Sequence, residues 1–265
     1  MIYIAFLAFT ILIFIFAFYQ LQYFMIFSPT FRRDEEICDE CEILSVQTDD
    51  GVELEGVVYE PKNSSSTLLV FVGRSHDCVG IIKKLSHAYL DVRVIAFNYR
   101  SYGRSEGRAN EKNLLSDGLK IAELVQKNYG DFYLLGFSLG SNIASYVATK
   151  HKAKALFLIG AFDSIASLAK SKLQGKAFFP LINYSKILRY KFRTFEYVRN
   201  VKIPTYLFVS KSDEIAYLKN SRELKKSVNN LVYYKEFDDL THKELLWDDE
   251  VVNKINEVMH ERNAL

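Results

Sequence analysis

Residues 131–151 read DFYLLGFSLGSNIASYVATKH, and the fold turns on how this stretch is parsed. An apolar run ending at Phe137 meets Ser138, and a helical pattern follows. Gly136 and Gly140 flank the serine in a G-x-S-x-G spacing. Glycines are needed there because a Cβ would clash where a buried strand reverses sharply into a helix. The pentapeptide alone recurs by chance. A strand before it and a helix behind it give it the form of a nucleophile elbow; the alternative for Ser138 is a helix N-cap without chemistry.

Outward from this point the chain alternates. Upstream, runs at 42–48 and 52–60 are separated by Asp49-Asp50-Gly51, an aspartate–glycine hairpin signal. LLVFV at 68–72 is a continuous apolar run of the kind buried on both faces of a sheet. A helix near 78–89, VRVIAF at 92–97 and a helix near 111–128 ending at Gly130 follow. Downstream come AKALFLIGAF, a broken stretch of short amphipathic pieces at 163–203, TYLFVSKSD, SRELKKSV, LVYYKEF and a closing helix DDEVVNKINEVMHE. Strands alternating with helices predict an α/β fold whose mostly parallel central sheet carries helices on both faces and begins with an antiparallel hairpin.

The first segment differs from everything after it. From Ile2 to Ile26 no side chain is charged, and only Thr10, Gln20 and Gln22 are clearly polar. About 20 helical residues span a bilayer core, so this run is read as an uncleaved, single-pass membrane anchor. A cleaved signal peptide would need a basic start and a small-residue cleavage site, and a buried core helix fits poorly because the run is apolar on all faces. Tyr19 and Tyr23 suit an interface, with Arg32 and Arg33 just beyond, and the two arginines favour a cytoplasmic body. The expected organisation is an anchor at 2–27, a juxtamembrane linker at 28–41 and an α/β domain at 42–265.

Charge is nearly balanced, with 34 basic and 32 acidic residues scattered along the chain, which argues against a nucleic-acid partner. Cys38 and Cys41 have C-x-x-C spacing, but no second pair completes a zinc site. They are read as two thiols in the linker, with a local disulfide as the rival in an oxidising compartment. No metal or cofactor is implied, and nothing in the sequence fixes an oligomeric state.

A nucleophilic serine needs a base, and the base needs a carboxylate to orient it. Among His76, His87, His151, His242 and His260, only His242 lies in the loop after the last strand, in FDDLTHKE. His151 ends the helix that begins at the elbow, and His260 sits in the terminal helix. Asp213, at the carboxyl end of TYLFVSKSD, is the expected acid, with Asp163 the alternative. Asp238 and Asp239 are too close in sequence to His242 and are read as a solvated turn. The developing oxyanion calls for two backbone donors: Leu139 N–H after the serine, and Arg74 N–H in the loop FVGRSHDCVG.

These residues resemble the α/β-hydrolase superfamily, in particular its serine hydrolases with one N-terminal membrane span. The segment NYRSYGRSEGRANE, residues 98–111, is similar to the family's NYRGYGxSEGxPxE, with Ser101 and Ala109 as departures. IPTYLFVSKSDEI and LTHKEL match the family's acid and histidine segments and likewise point to Asp213 and His242. The resemblance implies an α/β-hydrolase fold with a short helical cap inserted at 163–203. It implies a membrane-anchored serine hydrolase cleaving carboxylic esters or thioesters, small-molecule or lipid-derived, through an acyl-enzyme. A peptidase or amidase on the same triad and a non-catalytic binding protein are the alternatives. Arg100, Tyr102 and Gly103 are expected to shape the loop beside the site, and Asp117 to be structural. Where the family has His-Gly-Asn-Ala-Gly, this chain has Val72-Gly73-Arg74-Ser75-His76, and the elbow ends Gly140-Ser141 rather than Gly-Gly. His76 either stands in for the lost histidine or is an exposed loop residue, and Cys78 is expected to be a buried small side chain. In the cap, Phe178-Phe179-Pro180-Leu181-Ile182 suits an acyl-chain pocket, a membrane contact or packing on the domain.

Overall fold

The computed structural model describes residues 2–30, 37–64, 66–173 and 183–261. Arg32, Arg33 and the Phe178–Ile182 run lie outside the described residues. The chain begins with α1 (Ile2–Ile26), then the hairpin β1 (Cys41–Gln47) and β2 (Glu53–Tyr59). β3 (Ser66–Phe71), α2 (Cys78–Ala88), β4 (Val92–Phe97), α3 (Glu111–Tyr129), β5 (Tyr133–Phe137), α4 (Leu139–Ala148) and β6 (Leu156–Ile159) form the alternating centre. Among the described residues three short helices follow: α5 (Ile165–Lys172), α6 (Tyr184–Ile187) and α7 (Thr194–Val198). The chain closes with β7 (Thr205–Ser210), α8 (Leu218–Lys225), β8 (Leu231–Phe237), α9 (His242–Leu245) and α10 (Asp249–Glu261).

The strands make an eight-stranded sheet in the order β1-β2-β4-β3-β5-β6-β7-β8. β1–β2 and β2–β4 pair antiparallel, and every pairing from β4 to β8 is parallel. This is the expected hairpin-led, mostly parallel sheet. β3, β5, β6 and β7 are buried along their whole length, as their unbroken apolar runs require for a sheet covered on both faces. Parallel strands end at one edge, so the loops after β3, β5, β6, β7 and β8 converge there.

The segment after α1 departs from the expected linker. Phe27 is fully buried, Ser28 N–H donates to Tyr102 Oη at 2.9 Å, and Gly103 N–H donates to Thr30 O at 2.7 Å. Residues 27–30 therefore belong to the packed domain, because their backbone polar groups find partners in the loop after β4. A second correction concerns the cysteines. Cys38 and Cys41, 5.1 Å apart at Cα, are joined in a disulfide rather than left as two thiols.

Candidate active site

Ser138 sits between β5 and α4 with φ 54° and ψ −116°, a left-handed conformation that costs a non-glycine residue of order 1–3 kcal/mol. It occupies the N-cap position of α4 but makes no capping hydrogen bond with its side chain. The N-cap alternative thus fails on its own terms, since capping would use the hydroxyl and relax the backbone to an extended conformation. Gly140 explains the spacing. A Cβ there would run into the Phe71 carbonyl at the end of β3, so only glycine lets α4 start this close to the sheet.

His242 and Asp213 come together from different loops. Their separation is 2.7 Å between Nδ1 and Oδ2, and both are buried, at 3% and 4% exposed. The Asp213 Oδ1 accepts N–H bonds from Ile215 at 2.8 Å and Ala216 at 2.6 Å, which fixes the carboxylate and leaves Oδ2 for the imidazole. On the histidine side, Thr241 and Glu244 form a capping box that sets the start of α9. The His242 N–H donates to the Glu214 carboxylate at 3.1 Å, and this bond holds Glu214 below its ordinary pKa.

The ring of His242 lies against Phe137, with centroids 4.8 Å apart, and Phe137 is the neighbour of Ser138. On the other side Gly160, at the end of β6 with φ 56°, makes room for it. A Cβ at 160 would stand 2.9 Å from His242 Cε1. Gly160 went unnoticed in sequence; its only signal was a glycine directly after a buried strand.

Asp163, the alternative acid, points elsewhere. Its carboxylate accepts from Asn220 Nδ2 at 3.2 Å, and burial raises its pKa. His151 lies half-exposed beyond α4 and His260 is exposed on α10. Asp238 is an exposed partner of Lys211.

The donor loop after β3 is held by tyrosines. Tyr99 Oη donates to Val72 O at 2.6 Å, Tyr102 Oη donates to Arg74 O at 2.7 Å, and His76 N–H donates to Gly73 O at 3.3 Å. Three successive carbonyls are thereby engaged. Among the described residues no carbonyl takes the N–H of Arg74, and Leu139 N–H lies in the first turn of α4, where no intrahelical partner exists. His76 is not an exposed loop residue. Its Nδ1 is buried and its ring meets Phe137 edge-on at 5.6 Å, so burial lowers its pKa below the ordinary 6.5. Cys78 is fully buried, and burial pushes its thiol pKa well up.

The NYRSYGRSEGRANE segment frames this edge. Arg100 is bidentate to both Asp117 and Asp50, tying the β1–β2 turn to α3. Asn98 joins Glu55, Asp77 and the Cys78 N–H at 2.8–3.1 Å. Ser101, standing where the family pattern has glycine, adopts φ 70° and donates from its hydroxyl to Gly107 O at 2.9 Å. Glu111 reaches across to accept the N–H groups of Lys191 and Phe192, at 2.6 and 2.7 Å. That contact ties the stretch before α7 to the start of α3, a role the sequence did not reveal.

A cavity of about 220 Å³ opens beside Ser138 and Leu139. Phe162, Ile165, Leu168, Leu188 and Tyr190 give it a mostly apolar lining, and Arg74, Lys172 and Glu214 add charge. A strained serine, a carboxylate-bound imidazole and two amides at one edge, next to an apolar cavity, can support acyl transfer.

Comparison with known proteins agrees with this architecture. A family model for the alpha/beta hydrolase fold matches residues 71–182. An uncharacterized protein of Mycobacterium tuberculosis is 26% identical over 178 residues, which is 64% of this chain and 61% of that protein. The lysophosphatidylserine lipase ABHD12 of Danio rerio is 32% identical over 89 residues, 31% of this chain and 23% of the lipase. The chain thus spans less than two thirds of these curated relatives. Among solved structures, the Pyrococcus furiosus esterase Pf2001 superposes with a TM-score of 0.66 at 15% identity, covering 89% of this chain and 97% of that one.

Proposed function

The chain is an α/β-hydrolase-fold protein, and we propose that it is a membrane-anchored serine hydrolase that cleaves carboxylic esters or thioesters through an acyl-enzyme. The observation that carries this reading is the 2.7 Å Asp213–His242 pair at the sheet edge that also bears the positive-φ Ser138. Ser138 Oγ attacks the carbonyl carbon while His242 Nε2 takes its proton. The Leu139 and Arg74 amides receive the negative charge on the carbonyl oxygen, an effect worth about 10²–10³ in rate per donor. Collapse breaks the bond to the leaving group, which departs with the proton from His242. Water then attacks the acyl-enzyme, His242 takes its proton and returns it to Ser138, and the free acid leaves.

Asp213 orients the ring and stabilises the imidazolium. The apolar cavity favours an acyl chain over a peptide, whose backbone would want paired hydrogen-bonding groups. A p-nitrophenyl ester tests this with the full chain in detergent. A burst of nitrophenolate stoichiometric with protein supports the reading; no hydrolysis above a Ser138→Ala control sinks it.

The N-terminal helix, 25 residues long, uncharged and strongly apolar, is long enough to cross a membrane. The proposed organisation keeps it as a single-pass anchor with the catalytic body in the cytoplasm, supported by the Arg32-Arg33 pair after the span. The Cys38–Cys41 disulfide is the state of an oxidising compartment, so the pair tests this orientation directly. A cytoplasmic body should leave both thiols reduced and reactive toward a permeant maleimide in intact cells. Protection of the pair as a disulfide would put the domain on the other side.

A further inference from the structure

The N-terminal helix does not stop at the domain surface. Gln22, Met25 and Ile26 line the same cavity as Ser138. Their i, i+3, i+4 spacing puts them on one face of α1. Leu21 and Phe24, outside that face, are exposed, as are most side chains from Ile2 to Phe18. One helix therefore has a lipid-facing shaft and a final turn that forms a wall of the site.

The docking is specific. Gln22 Oε1 accepts the Arg189 N–H at 2.7 Å, the Arg74 guanidinium donates to Met25 O, and Tyr23 Oη meets Ser101 Oγ at 3.4 Å. Phe27 is buried edge-on against Tyr190, with centroids 5.0 Å apart. Around the helix, Arg189 lies over the Tyr19 ring at 4.1 Å and Arg108 over the Tyr23 ring at 4.5 Å. Tyrosine and arginine together mark the headgroup level of a bilayer. The residues before this collar, Ile2–Phe18, make a helix about 25 Å long, close to the thickness of the hydrocarbon core. The cavity mouth thus stands at headgroup depth, with half-exposed Met25 on its rim.

We propose that the last turn of α1 is part of the acyl-binding site, and that a long-chain lipid ester enters laterally from the bilayer along this helix to reach Ser138. This rests on the serine-hydrolase reading for its chemistry, but the site it assigns is new to it. Gln22, Met25 and Ile26 share the cavity lining with Ile165 and Leu168, and together they set the length of acyl chain accepted.

The test uses the full chain in phosphatidylcholine nanodiscs and p-nitrophenyl esters of four and twelve carbons. Ile26→Trp, which fills the cavity, should lower kcat/KM for the long ester relative to the short one by about tenfold or more. Met25→Ala, which removes bulk at the rim, should shift the same ratio, and Leu21→Trp on the lipid face should leave it unchanged. An unchanged ratio in both cavity variants overturns the proposal. A second readout does not depend on turnover. A long-chain ester carrying a diazirine is photolysed with the Ser138→Ala protein, and the adducts are mapped. Adducts on both Ile26 and Leu168 support an acyl site walled by α1, whereas adducts that omit Ile26 contradict it. If no ester is hydrolysed but Ile26 and Leu168 are labelled, the hydrolase reading fails while the binding site stands.

Discussion

The cavity has two walls of different origin. The floor, formed by Ser138, Leu139 and the loop after β7 with Glu214 and Ile215, rests on a sheet edge whose four central strands are buried along their length. The facing wall comes from α1, α5 and the stretch at 188–190, pieces that share no sheet hydrogen bonds. Chemistry needs atoms held to fractions of an ångström, and a packed parallel sheet provides that. On the proposed reading, substrate choice falls to a surface that can vary without disturbing that edge, namely the short helices and the end of α1.

The floor is where the largest effects should appear. Asp213→Asn should reduce kcat by roughly 10⁴-fold, because the wrong imidazole tautomer faces the serine. Asp163→Asn should change kcat by no more than a few-fold, since Asp163 is bonded to Asn220 and not to His242. Steady-state kinetics on the two variants breaks the comparison if the order is reversed.

Gly160→Ala is the next smaller perturbation. It adds a Cβ against His242 and places a non-glycine at φ 56°, so the imidazole must shift. A fall in kcat of about tenfold to a hundredfold is expected, with KM for a short ester nearly unchanged. An equal rise in KM would mean that Gly160 shapes the cavity rather than the base.

The smallest effect is on stability and is read from pH. Burial keeps the His76 pKa in the folded chain below its ordinary 6.5, so the unfolded chain binds this proton more readily. The stabilisation linked to a neutral His76 is complete above about pH 6.5 and is lost as pH falls from there toward the folded value. Thermal melts of wild type should therefore lose more stability between neutral and mildly acid pH than those of His76→Gln. Parallel curves would remove His76 from the acid response.

The two walls also differ in how far the sequence revealed them. That Ser138, Asp213 and His242 share one edge was legible because each follows a strand, and a parallel sheet carries all such ends to one edge. Gly160 was not, since its reason for being glycine is a ring from a loop about eighty residues away. The sequence leaves His76 open between a buried and an exposed role because a polar loop residue gives no hint that Phe137 will cover it. The upper wall was least legible. Apart from Thr10, Gln20 and Gln22 the helix α1 is apolar on every face, so nothing in its sequence marks Met25 and Ile26 off from the exposed positions before them. Two departures from the family pattern gain a reason from that wall: Arg74 and Ser101 both contact the end of α1.

The central claim is that Ser138 is the nucleophile of this floor. The most direct measurement is to treat the full chain with a fluorophosphonate and map the adduct by peptide mass spectrometry. A single adduct on Ser138, absent in Ser138→Ala and strongly slowed in His242→Ala, is the predicted result. An unlabelled Ser138, or labelling that persists at another residue in Ser138→Ala, would contradict it.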